Sequence, residues 1–250
     1  MLVAIVSTET TGLTPADEPI SIGLLLVEVA PRLGSLVREV DSYYGSREPD
    51  VPVEPASTGV HGMTIEMLRG KRFDMDAVNA ILDAADVLVA HGADFTARML
   101  ATVLPGIPAR RWRCSIRQLK WAQYYQVPNH KLDTICDHLG IFRPRPQIAL
   151  DDCLSLAKVL FLRTGTSERA GTHMANLLAQ SDFVPATPTM VQVVAPAPLI
   201  EPNERAEPAD PWLPKAAPER NDGPVRALML VAMMVVGVAA VLIWPDLLRW

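Results

Sequence analysis

Residues 6–13 read VSTETTGL and close an apolar run that begins at Met1. The stretch MLVAIVS has the length and the aliphatic, β-branched content of a buried strand, and Gly12 marks the turn that ends it. Glu9 therefore stands between a strand and a glycine turn, a place suited to a metal-binding carboxylate. Such carboxylates work in groups, because hard cations need several oxygen ligands. Two residues before Glu9, where a second acid would pair with it, the chain carries Ser7.

Two more strand-like segments follow, PISIGLLLVEV and GSLVREVDSYY, separated by Gly, Pro and Asp. The pattern then changes period. MDAVNAILDAAD repeats apolar residues at helical spacing, VLVAH is a short strand, DFTARMLATVL is helical, and RWRCS is a fifth strand. Ser115 and Gln118 form an S-x-x-Q capping box that predicts one helix over IRQLKWAQYY, broken at Pro128 and Asn129. The helix KLDTICDHL stops at Gly140, and ALDDCLSLAKVLFL is a last amphipathic helix. Three consecutive strands followed by alternating helices and strands predict an α/β fold, a mixed five-stranded sheet flanked by helices.

The chain has 250 residues and 49% hydrophobic content, which one segment near its end raises. ALMLVAMMVVGVAAVLIW, starting at Ala227 and ending at Trp244, holds no charge and as a helix would reach about 27 Å, close to a hydrocarbon core. Arg226 precedes it, Pro245 stops it, and Trp244 and Trp250 suit the membrane interface. Lys215, Arg220 and Arg226 outnumber Arg249, so a single-pass tail anchor over 225–245 is expected, with a tail at 246–250 and the preceding chain in the cytoplasm. MLVAIVSTET lacks the basic n-region of a secretory signal, in keeping with that side.

Residues 183–224 are proline-rich without aliphatic periodicity and read as an extended or disordered spacer with a reach on the order of 100 Å. Trp212 is a possible partner motif within it. Cys114, Cys136 and Cys153 have no CxxC spacing and read as buried structural thiols. The folded head is thus 1–182.

Within that head, TETTGL (8–13), VHGMTIEML (60–68), VLVAHGADF (87–95), NHKLDTICDHLGI (129–141) and ALDDCLSLAKV (149–159) resemble, in order and spacing, the DnaQ-like 3′→5′ exonucleases. The proofreading epsilon subunit of bacterial DNA polymerase III typifies that family. The resemblance implies a ribonuclease H-like three-layer fold. It also implies two Mg²⁺ or Mn²⁺ ions that activate water and stabilise the leaving oxygen in phosphodiester hydrolysis.

The family's motifs imply D-x-E, then a helix-borne Asp, then H-x-x-x-x-D with the His as general base. Here Glu9 matches the first Glu and Asp152 the last Asp, whereas Ser7, Thr96 and Gln147 stand at the other positions. An amide does not accept a proton near neutral pH, so Gln147 is no general base. Glu9 and Asp152 are left as ligands for at most one weakened metal site. Asp94, expected as an N-cap or first-turn acid, and Asp151, expected on another helix face, are the candidates for compensation. Thr10, Gly12, Leu13 and His61 correspond to nucleotide-facing positions, although His61 also reads as an ordered loop residue.

The head carries 18 Lys/Arg against 20 Asp/Glu over residues 1–181, so no overall basic footprint marks a nucleic-acid binder. Arg110, Arg111, Arg113, Arg117 and Lys120 with Trp112 and Trp121 form its one cationic cluster, which suits a single strand only if the residues share a face. Strand alternation is expected to disperse them. Three readings stay open: a membrane-anchored pseudo-nuclease that binds single-stranded nucleic acid or acts as a scaffold, an atypical active 3′→5′ exonuclease, and a protein-interaction module without nucleic acid.

Overall fold

The computed structural model describes residues 1–186 apart from 144, 146, 168 and 169. Three long antiparallel strands come first: β1 (Leu2–Thr10), β2 (Pro19–Val29) and β3 (Leu36–Ser46). Short helices α1 (Pro55–His61) and α2 (Ile65–Leu68) lead to α3 (Met75–Ala84), β4 (Val87–Ala90) and α4 (Ala93–Leu100). Then come β5 (Trp112–Cys114), α5 (Ser115–Gln118), α6 (Trp121–Tyr125), α7 (Leu132–His138), α8 (Ala149–Leu160) and α9 (His173–Leu178). The sheet order is β3-β2-β1-β4-β5, with β4 parallel to both β1 and β5. This is the expected mixed five-stranded sheet between helical layers.

Strand alternation sorts the core into two halves. Val3 and Ile5 of β1, with Leu25 and Val27 of β2, face α7, α8 and α9 through Ile135, Leu156, Val159 and Leu177. Ala4 and Val6, with Leu24 and Leu26, face α3 and α4 through Ile81, Leu82, Ala97 and Leu100. Trp121 lies in the first half and Trp112 in the second, each 0% exposed. Each therefore contributes a few kcal/mol of burial on the order of that for any large aromatic. All three cysteines are free and buried, and burial raises the Cys136 thiol to about 11, so they act as packing groups.

The capping box is corrected by one residue, and the helix it was to open is divided. Cys114 is the cap of α5, its N–H donates to Gln118 Oε1 (2.8 Å), and the Ser115 hydroxyl is taken by His91 Nδ1 (2.6 Å). Leu119 and Lys120 leave helical geometry between α5 and α6, which lets both Leu119 and Trp121 reach the core.

After α9 the chain runs back along the sheet edge. Phe183 bridges Trp112, and Ala186 N donates to Asp94 Oδ1 (3.1 Å). The expected tail anchor and nearly all of the proline-rich spacer lie outside the described residues. Among the described residues no helix is long and apolar enough to cross a membrane.

His173 is 2% exposed between Trp121 and Tyr125, and its Nε2 shares a 2.5 Å hydrogen bond with the Tyr125 hydroxyl. Burial lowers its pKa to about 4 from an ordinary value of 6.5. Above pH 6.5 the ring is neutral in both folded and unfolded chains. As pH falls from 6.5 to 4 only the unfolded chain takes up the proton, so stability falls over that window, by on the order of 3 kcal/mol. Between urea melts at pH 7.5 and pH 4.5 the stability of wild type should fall relative to that of His173→Phe. An equal loss in the variant would assign it elsewhere.

Candidate functional site

Alternation along β1 decides which way its polar end points. Continuing from Val3 and Ile5, Ser7 and Glu9 face the α8 side of the sheet. The partner of Ser7 on β2 is Gly23. A Cβ at Gly23 would stand 2.3 Å from the backbone of Ala149 and Leu150, so only glycine lets the first turn of α8 rest on the strand. Cys153 Sγ confirms the close approach by donating to Gly23 O (3.3 Å). This seating carries Asp152 to Glu9.

The result is a cleft of about 390 Å³ at the C-terminal ends of the parallel strands β1 and β4. Ser7, Glu9, Thr10, Leu13, His61, Thr96, Gln147 and Asp152 all line it. Gly12 does not, but it shapes the rim. A Cβ there would lie about 2.5 Å from the Asp17 carboxylate, which accepts bonds from Thr11 Oγ1 (2.8 Å) and Thr14 N (2.7 Å). Burial works against ionisation of Asp17, but the Thr14 and Thr11 bonds outweigh it and hold the pKa below the usual range.

His61 is 8% exposed, and both ring nitrogens are taken by backbone: Nε2 meets Thr10 O (3.2 Å) and Nδ1 accepts from Met63 N (3.1 Å). It offers the cleft a ring surface and ties α1 to the end of β1. His91 is also held at both nitrogens, with Nε2 against the His130 carbonyl (2.6 Å) and Nδ1 against the Ser115 hydroxyl. Burial, more than any charge, lowers the His91 pKa to about 4 and keeps it neutral.

The two retained carboxyls differ. Glu9 is 9% exposed, and its carboxylate has no hydrogen-bond partner among the described residues. Burial, with Asp152 nearby, pushes its pKa up to about 8 against the opposing pull of Arg143. Asp152 Oδ1 receives the guanidinium of Arg143 and the N–H of Gln147 (3.2 Å). Burial raises the Asp152 pKa while both donors pull it back. Arg143, its side chain 7% exposed, also pairs with Asp133 of α7.

Neither candidate for compensation joins the cleft. Asp151 is bound by Arg145 (2.7 Å), and Asp94 caps the returning chain at Ala186 with Arg117 at 3.9 Å. Among the described residues no three His, Cys, Asp or Glu side chains converge as a metal site. The donor set does not fit two divalent ions: of the five implied groups two carboxyls remain, and one of these already holds a fixed cation.

The cationic cluster is dispersed, and its arginines are ion-paired. Arg110 binds Asp83, Arg111 and Arg113 bind Asp182, and both tryptophans are core. Arg98, not singled out in the sequence, is placed better. Its guanidinium stacks 5.6 Å from the Phe95 ring, bonds Leu13 O (3.3 Å), and has no carboxylate partner among the described residues. Phe95 and Leu13 both line the cleft, so Arg98 stands at its mouth. Its position four residues after Asp94 on a helix gave no sign of this.

This sheet order, with helices on both faces and a cleft where β1 and β4 end, is the ribonuclease H-like exonuclease architecture. An exonuclease family model of the RNase T type matches residues 6–160, and the chain belongs to that family, in its DnaQ-like branch. The PolC-type DNA polymerase III of Thermotoga maritima is 30% identical over 169 residues, covering 62% of this chain. That of Thermotoga petrophila matches equally. The chain spans 11% of the length of these polymerases. Among solved structures, zinc-bound E. coli exonuclease I with single-stranded DNA superposes at a TM-score of 0.52 and 13% identity, covering 64% of this chain and 40% of that one. The same enzyme with an oligonucleotide gives 0.51 with the same coverage.

Proposed function

We propose that the head is an exonuclease-fold domain that holds the end of a single-stranded nucleic acid and has lost two-metal hydrolysis. What carries this reading is that the three substituted positions, Ser7, Thr96 and Gln147, line one cleft with Glu9 and Asp152. The substitutions fall together where the metals and the general base would act, while the walls of the cleft persist. Removing two carboxylates and the base takes away the charge and the proton acceptor on which the chemistry depends.

The walls suit a terminal nucleotide. Leu13, 73% exposed, and Phe95 offer apolar surface for a base, the His61 ring closes one side, and Arg98 sets a cation at the mouth for a phosphate. Fluorescence anisotropy of the full chain with 5′-labelled single-stranded DNA and RNA tests this. Salt-sensitive binding is expected, and Arg98→Ala should weaken it and lower the salt slope by about one. A lack of salt-sensitive binding at low ionic strength would leave a protein-interaction module as the better reading.

The same proposal places the head on the cytoplasmic side of a membrane, tethered by residues 225–245 through the proline-rich spacer. The charge-free apolar run from 227 to 244 supports it. In membrane fractions the full chain should resist carbonate extraction, and a chain ending at residue 224 should be released. Release of both would remove the anchor.

A further inference from the structure

Arg143 lies in the loop between α7 and α8 and reaches inward to bridge two acids, Asp133 and Asp152. A guanidinium is charged at every working pH, does not dissociate, and presents a fixed fork of donors. The loop reinforces it at a second point. Gln147 adopts φ 67°, a left-handed conformation uncommon for a residue with a side chain, and its N–H reaches the same Asp152 oxygen. One oxygen of a carboxylate that the family uses for metal, Asp152 Oδ1, is thereby engaged by a cation and an amide of its own chain. An incoming dication would have to displace Arg143 or sit beside it.

We propose that Arg143 is a resident cation of the cleft, taking at Asp152 the charge role of a metal ion, so that the cleft accepts a nucleic-acid end without divalent metal. The nucleic-acid half of this statement rests on the function proposed above; the exclusion of metal by Arg143 does not. The loop is then a positioning device: it holds Asp152 for a ligand that arrives alone.

Two measurements on the full chain separate the halves. Mn²⁺ titration followed by electron paramagnetic resonance, without nucleic acid, should show no retained ion for wild type or Arg143→Lys. Arg143→Gln, which frees Asp152, should take up Mn²⁺ at least about tenfold more tightly. Uptake by wild type as tight as by Arg143→Gln overturns the proposal. If Arg143→Gln does not fold, wild type and Arg143→Lys decide, and tight uptake by either overturns it. The affinity of wild type for a 5′-labelled oligonucleotide should change less than about twofold between EDTA and Mn²⁺. A requirement for Mn²⁺ overturns the proposal as well. Oligonucleotide binding under neither condition sinks the nucleic-acid reading alone, and the Mn²⁺ titration still judges Arg143.

Discussion

Gly23→Ala is expected to cost the head about 3 kcal/mol or more, a large share of the roughly 5–15 kcal/mol that keeps a domain folded. The added methyl would stand 2.3 Å from the Ala149 carbonyl carbon and the Leu150 nitrogen. Both are backbone atoms, so relief requires moving the whole first turn of α8 off the sheet. That movement disturbs the packing of Cys153 and Leu156 and separates Asp152 from Glu9, so oligonucleotide affinity should fall with stability. Gly59→Ala is the control. Gly59 lies inside α1 with nothing within 4 Å of the added methyl, and a helical Gly→Ala change there should be neutral or stabilising by up to about 1 kcal/mol. Urea denaturation of the pair measures both. Equal midpoints for Gly23→Ala and wild type would show that the strand-to-helix approach is not what seats α8.

The second large effect is a gain. Ser7→Asp, Thr96→Asp and Gln147→His together with Arg143→Ala should produce Mg²⁺- or Mn²⁺-dependent shortening of single strands from the 3′ end, at least about a hundredfold above wild type. Ser7 and Thr96 face the same cleft as Glu9 and Asp152, so two restored carboxylates would complete a dense acidic cluster. The same three substitutions with Arg143 retained should gain much less, because the guanidinium still occupies Asp152. Removing Arg143 alone leaves the buried Asp152 without its cation, and should destabilise by about 3–5 kcal/mol. The restored variant regains that loss on metal addition, visible as a metal-dependent rise in melting temperature. A folded four-site variant that binds Mn²⁺ and oligonucleotide yet cuts nothing would contradict the roles given to these positions.

The fold was legible where one pattern ruled over enough residues. PISIGLLLVEV is β2 to the residue, because an aliphatic run bounded by Pro and Gly has no helical alternative of that length. Alternation along β1 also determined that Ser7 and Glu9 share a face. The short strands β4 and β5 were legible in VLVAH and RWRCS, but several short helices were not. In α5 and α6 the run IRQLKWAQYY carries no Pro or Gly to mark the interruption at Leu119 and Lys120, which tertiary contacts impose. Nothing in the sequence distinguished α9, six residues long, from the loop before it.

The site was legible through its motifs and illegible through its supports. Glu9, Asp152 and the substituted positions sit in recognisable strings, and the structure gathers them. Gly23 and Arg143 do not. One acts through a side chain it lacks, between segments more than a hundred residues apart, and the other through a loop whose path periodicity cannot trace. Arg98 was missed because Leu13, whose carbonyl it bonds at the cleft, lies 85 residues away in the chain.

The most direct test of the central claim incubates the full chain with 5′-labelled single-stranded DNA and RNA in Mg²⁺ or Mn²⁺, beside the Glu9→Ala, Asp152→Ala double variant. The proposed function predicts that oligonucleotide bound by wild type stays at full length. Metal-dependent shortening from the 3′ end by wild type, abolished in the double variant, would contradict it.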